Sequence, residues 1–569
     1  MLRRAFSSTI FHAALFFAFT TGLFAQPPLI FNRSIYNAAS FIPAGVPSGA
    51  VAQGSIFSIF GTRLGPTHSA TASSFPLGNS LGGVSINVIQ GATSIAAIPV
   101  YVSGAQINAI MPSKAPLGMV SVQVTFNNLK SNMAPVQVAP SQVGIFTATG
   151  TGIGEGVLWN FIAQNNQPVN SPTVTAKPGQ VITLWATGLG PVSYADNIAP
   201  TAENLPVQVQ VIVGELAATV QYSGRSSCCS GVDQIVFTVP NNAPSGCWVP
   251  VYVKTAGQYI SNFVTMAISP SGGTCTTDVL PQVTSAFIKG QKLGEAIVTR
   301  TTTRHDIGTI APVDVTSDFH VSFAFEPAVK PFPFNPALAF PPSGTCTAYM
   351  HQSDLLDADL FSPPLPGIIP ETMPLDVGPP FMLTGRNGTK TLSTGFSAGL
   401  LNPTAGLLGA MISNNILPGT LFLDPGSYTL QGFGGTEVGK FTTNFTIPQP
   451  LTWTNRLQTN LVPRTQPLTI NWTGGDSGQT VAIIGFGDDL PSNSSTVFAC
   501  IAPPGATSFT VPTDILSTLP AGRTDPLRSK DVLYLMTLAG GSLKPINATG
   551  LDVGLTSFYS IIGKTVYWQ

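Results

Sequence analysis

Two stretches of this chain say nearly the same thing. GSIFSIFGTRLGP occupies residues 54–66, and GQVITLWATGLGP follows at 179–191. Aligned without gaps, they share Gly54/Gly179, Thr62/Thr187, Leu64/Leu189, Gly65/Gly190 and Pro66/Pro191. Ile56/Val181, Ile59/Leu184 and Phe60/Trp185 are alike in kind. The echo continues downstream. Gln106 to Pro112 returns as Gln234 to Pro240, Ala115 to Gly118 as Ala243 to Gly246, and Ser131-Asn132 as Ser261-Asn262. The offset drifts slowly, as it does when insertions fall in surface loops. Two copies of one unit of roughly 100 residues therefore lie in tandem, a size typical of a domain.

Each copy reads as strands. Ile56 to Phe60 is a short apolar run closed by Gly61. Val84, Ile86 and Val88 alternate with Ser85 and Asn87, and Val207, Val209 and Val211 repeat that period of two, the mark of a half-buried strand. The Ala-Pro-x-Gly segments mark turns. Only 9% of residues are charged, while 57 Gly and 50 Pro accompany 43% hydrophobic residues. That balance builds cores and favours short strands joined by tight turns. The expectation is an all-β chain of tandem immunoglobulin-like sandwiches. The second half, from 276, reads the same way: Leu468, Ile470 and Trp472 alternate with Thr469 and Asn471, and Val481 to Ile484 is a short apolar strand. One helix is expected near Thr513 to Leu519, with Thr513 as its cap after Pro512. Pro448-Gln449-Pro450 reads as a linker. The predicted division is 1–25, 26–145, 146–275, 276–450 and 451–569.

One set of residues resembles a known family. It comprises Tyr36 to Phe41, the Gly54 to Pro66 segment, Ala186 to Pro191, Val232 to Ile235, Val239-Pro240 and Ala243 to Cys247. Together, over about residues 34–275, they resemble the Solibacter-type uncharacterised C-terminal domain family of exported acidobacterial proteins. The resemblance implies secretion and a β-rich, immunoglobulin-like fold, and it implies no activity. The family module usually ends a longer protein; here it comes first.

The N-terminus reads as a signal peptide: Arg3 and Arg4 precede an apolar stretch from Ile10 to Leu23, with a small residue at Ala25. Later apolar runs, such as Ala405 to Ile412, are too short to span a bilayer. The mature chain is therefore expected to be soluble or peripherally attached, either extracellular or at the cell surface, with the periplasm as the other compartment. Net charge is −1. The densest basic stretch, Lys289 to Arg304, holds four basic residues and no aromatic stack, which argues against nucleic acid. Export permits disulfides among Cys228, Cys229, Cys247, Cys275, Cys346 and Cys500. Four of these, Cys228, Cys229, Cys247 and Cys275, cluster within 48 residues, which allows three full pairings. A loop-pinning bridge between the Cys228-Cys229 pair and Cys247 is the reading preferred; a zinc site lacks a C-x-x-C pair and a nearby His.

No catalytic set stands out, and neither cofactor nor metal is expected. Gly78 to Gly82 fits G-x-S-x-G around Ser80, but a Pro-containing loop enters it and a strand leaves, so the strained strand-to-helix turn is missing. Gly150 to Gly156 lacks the spacing of a phosphate cradle and reads as a connection. His68, His305, His320 and His351 remain, with Asp306 and Asp318 near two of them. Asp354, Asp357 and Asp359 form a sparse oxygen set without the EF-hand pattern. Trp185 and Trp472 read as core, whereas Trp159, Trp248, Trp453 and Trp568 are open candidates for an exposed platform. The functional expectation is a non-enzymatic exported protein for adhesion or glycan binding, whose partner is a polysaccharide or cell-envelope component. The alternatives are a structural spacer and, least favoured, a hydrolase with its site in 276–450.

Overall fold

The structure is a computed structural model that describes residues 26–307, 310–327, 334, 339–352, 372–378, 380–392, 421–476, 479–489, 494–522, 531–538 and 543–569. The N-terminal segment 1–25 and Asp354, Asp357 and Asp359 lie outside them.

The first sandwich is built from β1 (Leu29–Asn37), β2 (Ile56–Thr62), β3 (Val84–Gln90), β4 (Thr93–Val102), β5 (Gln106–Ile110), β6 (Gly118–Phe126) and β7 (Ala134–Ala139). Hydrogen bonding runs in the order β1-β2-β5-β4-β3-β6-β7. Strand β4 changes sheets at Pro99: its first half pairs with β3 and its second half with β5. One layer is therefore β1-β2-β5-β4 and the other β3-β6-β7, the strand arrangement of an immunoglobulin domain. Val84, Ile86 and Val88 face inward with Phe57, Ile59, Ile107, Val122 and Val136. Their alternation with polar neighbours places one apolar face per sheet, and each sheet covers the other.

The second sandwich repeats this. It contains β8 (Gly144–Ile145), β9 (Leu158–Asn160), β10 (Val181–Thr187), β11 (Val209–Val213), β12 (Leu216–Arg225), β13 (Asp233–Thr238), β14 (Gly246–Thr255) and β15 (Val264–Ile268). The order β8-β10-β13-β12-β11-β14 matches the first copy, and β15 pairs with β14 as β7 does with β6. The repeated residues have repeated jobs. Gly54 and Gly179 sit at φ +71° and +79°, a region open chiefly to glycine, and each donates its N–H to the end of the neighbouring strand, at Met111 O and Val239 O. The Ser-Asn pairs also act alike. The Asn132 carboxamide exchanges two hydrogen bonds with the backbone of Ile30, and Asn262 does the same with Ile145. In each copy a side chain thus stands in for a missing strand partner.

Polar groups lock the two sandwiches together. Arg225, on β12, and Asp233, on β13, are both buried, with Nε 3.4 Å from Oδ1. The rest of the guanidinium donates to Gly54 O and Gly190 O at 3.0 Å. The other Asp233 oxygen accepts from Gly188 and Leu189 N–H. Thr187 accepts from Ile56 N–H across the junction.

The remainder is a single unit rather than the two predicted domains. Its principal sheet draws on both sides of Pro448-Gln449-Pro450. From before them come β16 (Leu293–Ile307), β17 (Ile310–Pro327) and β18 (Cys346–Gln352). From after them come β19 (Thr480–Asp489), β20 (Ser494–Ile501), β21 (Val532–Leu538) and β22 (Val553–Thr565). The order is β18-β20-β19-β21-β22-β16-β17. The division at 448–450 fails because β16 pairs with β22 in parallel over twelve residues, and β18 pairs with β20 over seven. The proline pair only punctuates a loop. One core gathers Trp453, Ile470 and Trp472 against Ile483, Phe498 and Leu535, and also draws in Tyr252 and Phe263 of the second sandwich.

Among the described residues, two α-helices accompany this sheet. α1 (Pro281–Lys289), unforeseen, has Pro at its first turn and Gly290 at φ +61° as its stop, the usual asymmetry of helix ends; Val283, Ala286 and Phe287 bury its inner face. The expected later helix is only Thr513–Leu516, and Thr513 is its first residue rather than its cap: the cap position is Pro512, with no side-chain hydrogen bond.

Candidate functional site

Strand β10 buries Ile182, Leu184 and Ala186. Period two then sends Val181 and Trp185 to the opposite, outer face. Trp185 is half-buried there and not in the core, contrary to the reading of its apolar neighbours. Its copy-one counterpart Phe60 likewise lies outside, in contact with Tyr36 and Phe41. Trp159, on β9, stands opposite Thr183, and its ring meets Trp185 edge to face at 5.0 Å, a favourable aromatic geometry. Val169 is bridged to Trp159, and Phe161 N–H bonds Val181 O. Phe161 is 41% exposed and Val169 48%. The result is an apolar strip of Trp185, Trp159, Val169 and Phe161 on the outer face of the second sandwich.

The strip is rigidly supported. Asn160 and Asn170, both buried, are bonded to each other at 3.1 Å. Asn170 also exchanges two bonds with Ala267 of β15, and Asn160 donates to Val174 O. Gln180 donates to Phe161 O at 3.1 Å. Polar groups flank the aromatics on the next strand: Gln234 lies opposite Trp185, and Thr238 accepts from exposed Gln221. An aromatic strip edged by carboxamides and hydroxyls offers stacking and hydrogen bonding to an uncharged polyhydroxylated surface. The other tryptophans cannot serve as platforms: Trp248, Trp453, Trp472 and Trp568 are all buried.

The remaining candidates do not converge. Ser80 is exposed on a two-residue strand paired with Ser85. The 150–156 loop is folded on itself by Thr147, whose hydroxyl accepts from the N–H groups of Thr151 and Gly152. His68 is exposed. His320 is buried against Phe381, and burial pushes its pKa down to about 4. Asp318 is committed to Arg300 and to the N–H groups of Phe422 and Leu423. His305 pairs opposite Val313, seven residues along β17 from His320, which separates the two by roughly 23 Å at ~3.3 Å per residue. The His351 side chain lies outside the described residues. Among the described residues no group of three or more His, Cys, Asp or Glu is placed to hold a metal ion.

The cysteines pair differently from the preferred reading. Cys247 is bonded to Cys275, and Cys346 to Cys500, whereas Cys228 and Cys229 are free and exposed. Cys247 is buried beside β15 and its exit segment. A groove of about 830 Å³ also opens between α1 and residues 545–555, with Gln282, Lys289, Asn547 and Asp552 on its walls; it has no aromatic lining.

No protein-family model matches the chain, and no curated protein matches it. Among solved structures, SGBP-B from a complex xyloglucan utilization locus in Bacteroides uniformis is similar at 10% identity, covering 87% of this chain and 88% of that one, TM-score 0.15. Domains 5–6 of the S-layer protein SbsC are similar at 9% identity over 42% of this chain and 98% of that one, TM-score 0.15. The plexin A4 extracellular region is similar at 13% identity, TM-score 0.15; the match covers 42% of this chain and 18% of plexin's length. Among the described residues no helix is long and apolar enough to cross a membrane.

Proposed function

We propose that this chain is an exported, non-enzymatic binding protein whose second sandwich presents the Trp185, Trp159 and Phe161 strip to a polysaccharide or another cell-envelope component. The observation that carries the reading is an aromatic strip held on a rigid sheet face, away from the core, with side-chain amides beside it. Exposed apolar surface on a folded domain costs solubility and marks contact sites. The basic and apolar N-terminal segment and the two disulfides support export. The resemblance to a family of exported acidobacterial proteins supports the same compartment. A structural-spacer role is the second reading; the buried Arg225 and Asp233 junction favours it, because it holds two sandwiches as one stiff body.

Co-sedimentation separates them. The chain lacking residues 1–25 is mixed with insoluble polysaccharides and isolated cell envelopes, with and without calcium. Saturable pelleting that falls about 30-fold in affinity with Trp159→Ala or Trp185→Ala, the loss of a ~2 kcal/mol contact, supports the platform. Pelleting untouched by either change, or none at all, refutes it and leaves the spacer.

A further inference from the structure

Four of the six cysteines are closed in two disulfides; the other two are neighbours at the exposed tip of the β12–β13 hairpin. The hairpin is firm at its base, where Arg225 opposes Asp233, and Ser226 N–H bonds Val232 O. The turn is closed by Val232 N–H on Cys229 O. Ser227, Cys228 and Cys229 are exposed, flanked by Ser226 and Ser230. The tip is small and carries no charged residue from Ser226 to Val232.

These thiols are poorly placed to bridge each other. Adjacent Cα atoms across a trans peptide lie about 3.8 Å apart, below the roughly 4.4–6.8 Å that a disulfide spans. No other free cysteine exists among the described residues. A chain that forms disulfides elsewhere folds where thiols oxidise. An exposed pair there looks outward, and a second copy related by two-fold symmetry would supply the partner thiols. In an isologous contact residue i meets j while j meets i, so adjacent cysteines can cross-pair twice without charge repulsion.

We propose that the Cys228-Cys229 tip is a covalent attachment site that joins two copies of this chain through crossed disulfides, Cys228 of each to Cys229 of the other. The co-reactant is a low-molecular-weight disulfide. For each bridge, the Cys228 thiolate attacks one sulfur of that disulfide and releases one small thiol. The second copy's Cys229 thiolate then attacks the Cys228 sulfur of the mixed disulfide and releases the other. Two protein thiols are oxidised, one small disulfide is reduced to two thiols, and the two protons pass to the released thiolates. Partial burial and the neighbouring Cys228 push the Cys229 thiol up to about 11.

The test is non-reducing electrophoresis, intact mass and sedimentation of the purified chain, oxidised with a small disulfide, with and without reductant. The expected result is a species of doubled mass that reductant returns to monomer, and that is lost in the Cys228→Ser/Cys229→Ser double variant while both buried disulfides persist. Peptide mapping of the dimer should recover a cross-linked tip. Three outcomes overturn the proposal: a monomer with two alkylatable thiols, a monomer with an internal Cys228-Cys229 bridge, and a monomer capped by the small thiol.

Discussion

Glu295 offers the sharpest test of the energetics. It lies on β16 between Leu293 and Ile297, and all three point into the core that α1 covers. Its carboxyl is buried, with Ser557 Oγ donating to Oε1 at 3.2 Å and the Tyr559 hydroxyl 3.5 Å away. Burial raises its pKa from 4.5 to about 7, and those two hydroxyls offset only part of the shift. The sign follows from linkage. Below pH 4.5 both folded and unfolded chains hold the proton, and Glu295 costs nothing. Between 4.5 and 7 the unfolded chain releases it first, so stability falls by about 1.4 kcal/mol per pH unit. Above 7 the loss levels off near 3 kcal/mol. Glu295→Gln keeps the shape and cannot ionise. It should match the wild type near pH 4 and exceed it by about 3 kcal/mol at pH 8. Because Glu215 is also raised to about 7 by burial, the quantity to read is the difference between variant and wild type, not the wild-type slope. Urea unfolding at the two pH values measures it, with amide protection in β16 and β22 identifying the unit that opens. An advantage equal at both pH values, or absent at pH 8, refutes the reasoning.

Three further outcomes follow from the same accounting. Asp233→Ala strands the buried Arg225 charge and should cost about 3–5 kcal/mol; adding Arg225→Met should recover a large part, as thermal unfolding of single and double variants will show. Asn262→Ala orphans the buried Ile145 N–H and C=O and should cost about 2–4 kcal/mol, whereas Asn132→Ala, at an exposed site, should cost ~1 kcal/mol because water replaces the amide; chemical denaturation compares them. Opening Cys346–Cys500 with Ala at both positions releases a 154-residue loop, worth about 5 kcal/mol in chain entropy. Opening the 28-residue Cys247–Cys275 loop costs about 3.5 kcal/mol, so the former variant should melt lower.

The tandem sandwiches were legible because period two and turn residues are local signals, and because repetition makes weak signals add. Val84, Ile86 and Val88 face the core as their alternation implies. Trp185 was misplaced by treating an apolar neighbourhood as a core; the phase set by Ile182, Leu184 and Ala186 was already in the sequence and puts it outside. Of the aromatic strip, the sequence leaves Trp159 open, but its meeting with Trp185 depends on the pairing of β9 with β10. Pro281 and Gly290 marked α1, yet nine residues between strands carry too little periodicity to be decisive. Pairings over long separations left no local trace: nothing near Cys346 announces Cys500, and nothing near β16 announces β22.

That last pairing bears on how the chain folds. Lys292 N–H bonds the carboxylate of Asp552, 260 residues later, and β22 then runs beside β16. A chain elongating at about 5–20 residues per second makes β16 wait roughly 13–50 seconds for its neighbour. Both sandwiches can close in that interval, since their strands pair within their own units. The long β16–β17 ribbon cannot; it stands with an open edge of unpaired backbone groups, of the kind that recruits other chains. The slow step of assembly, and the moment most exposed to aggregation, therefore belongs to the last unit. Its first strands are the place to look for a chaperone's hold.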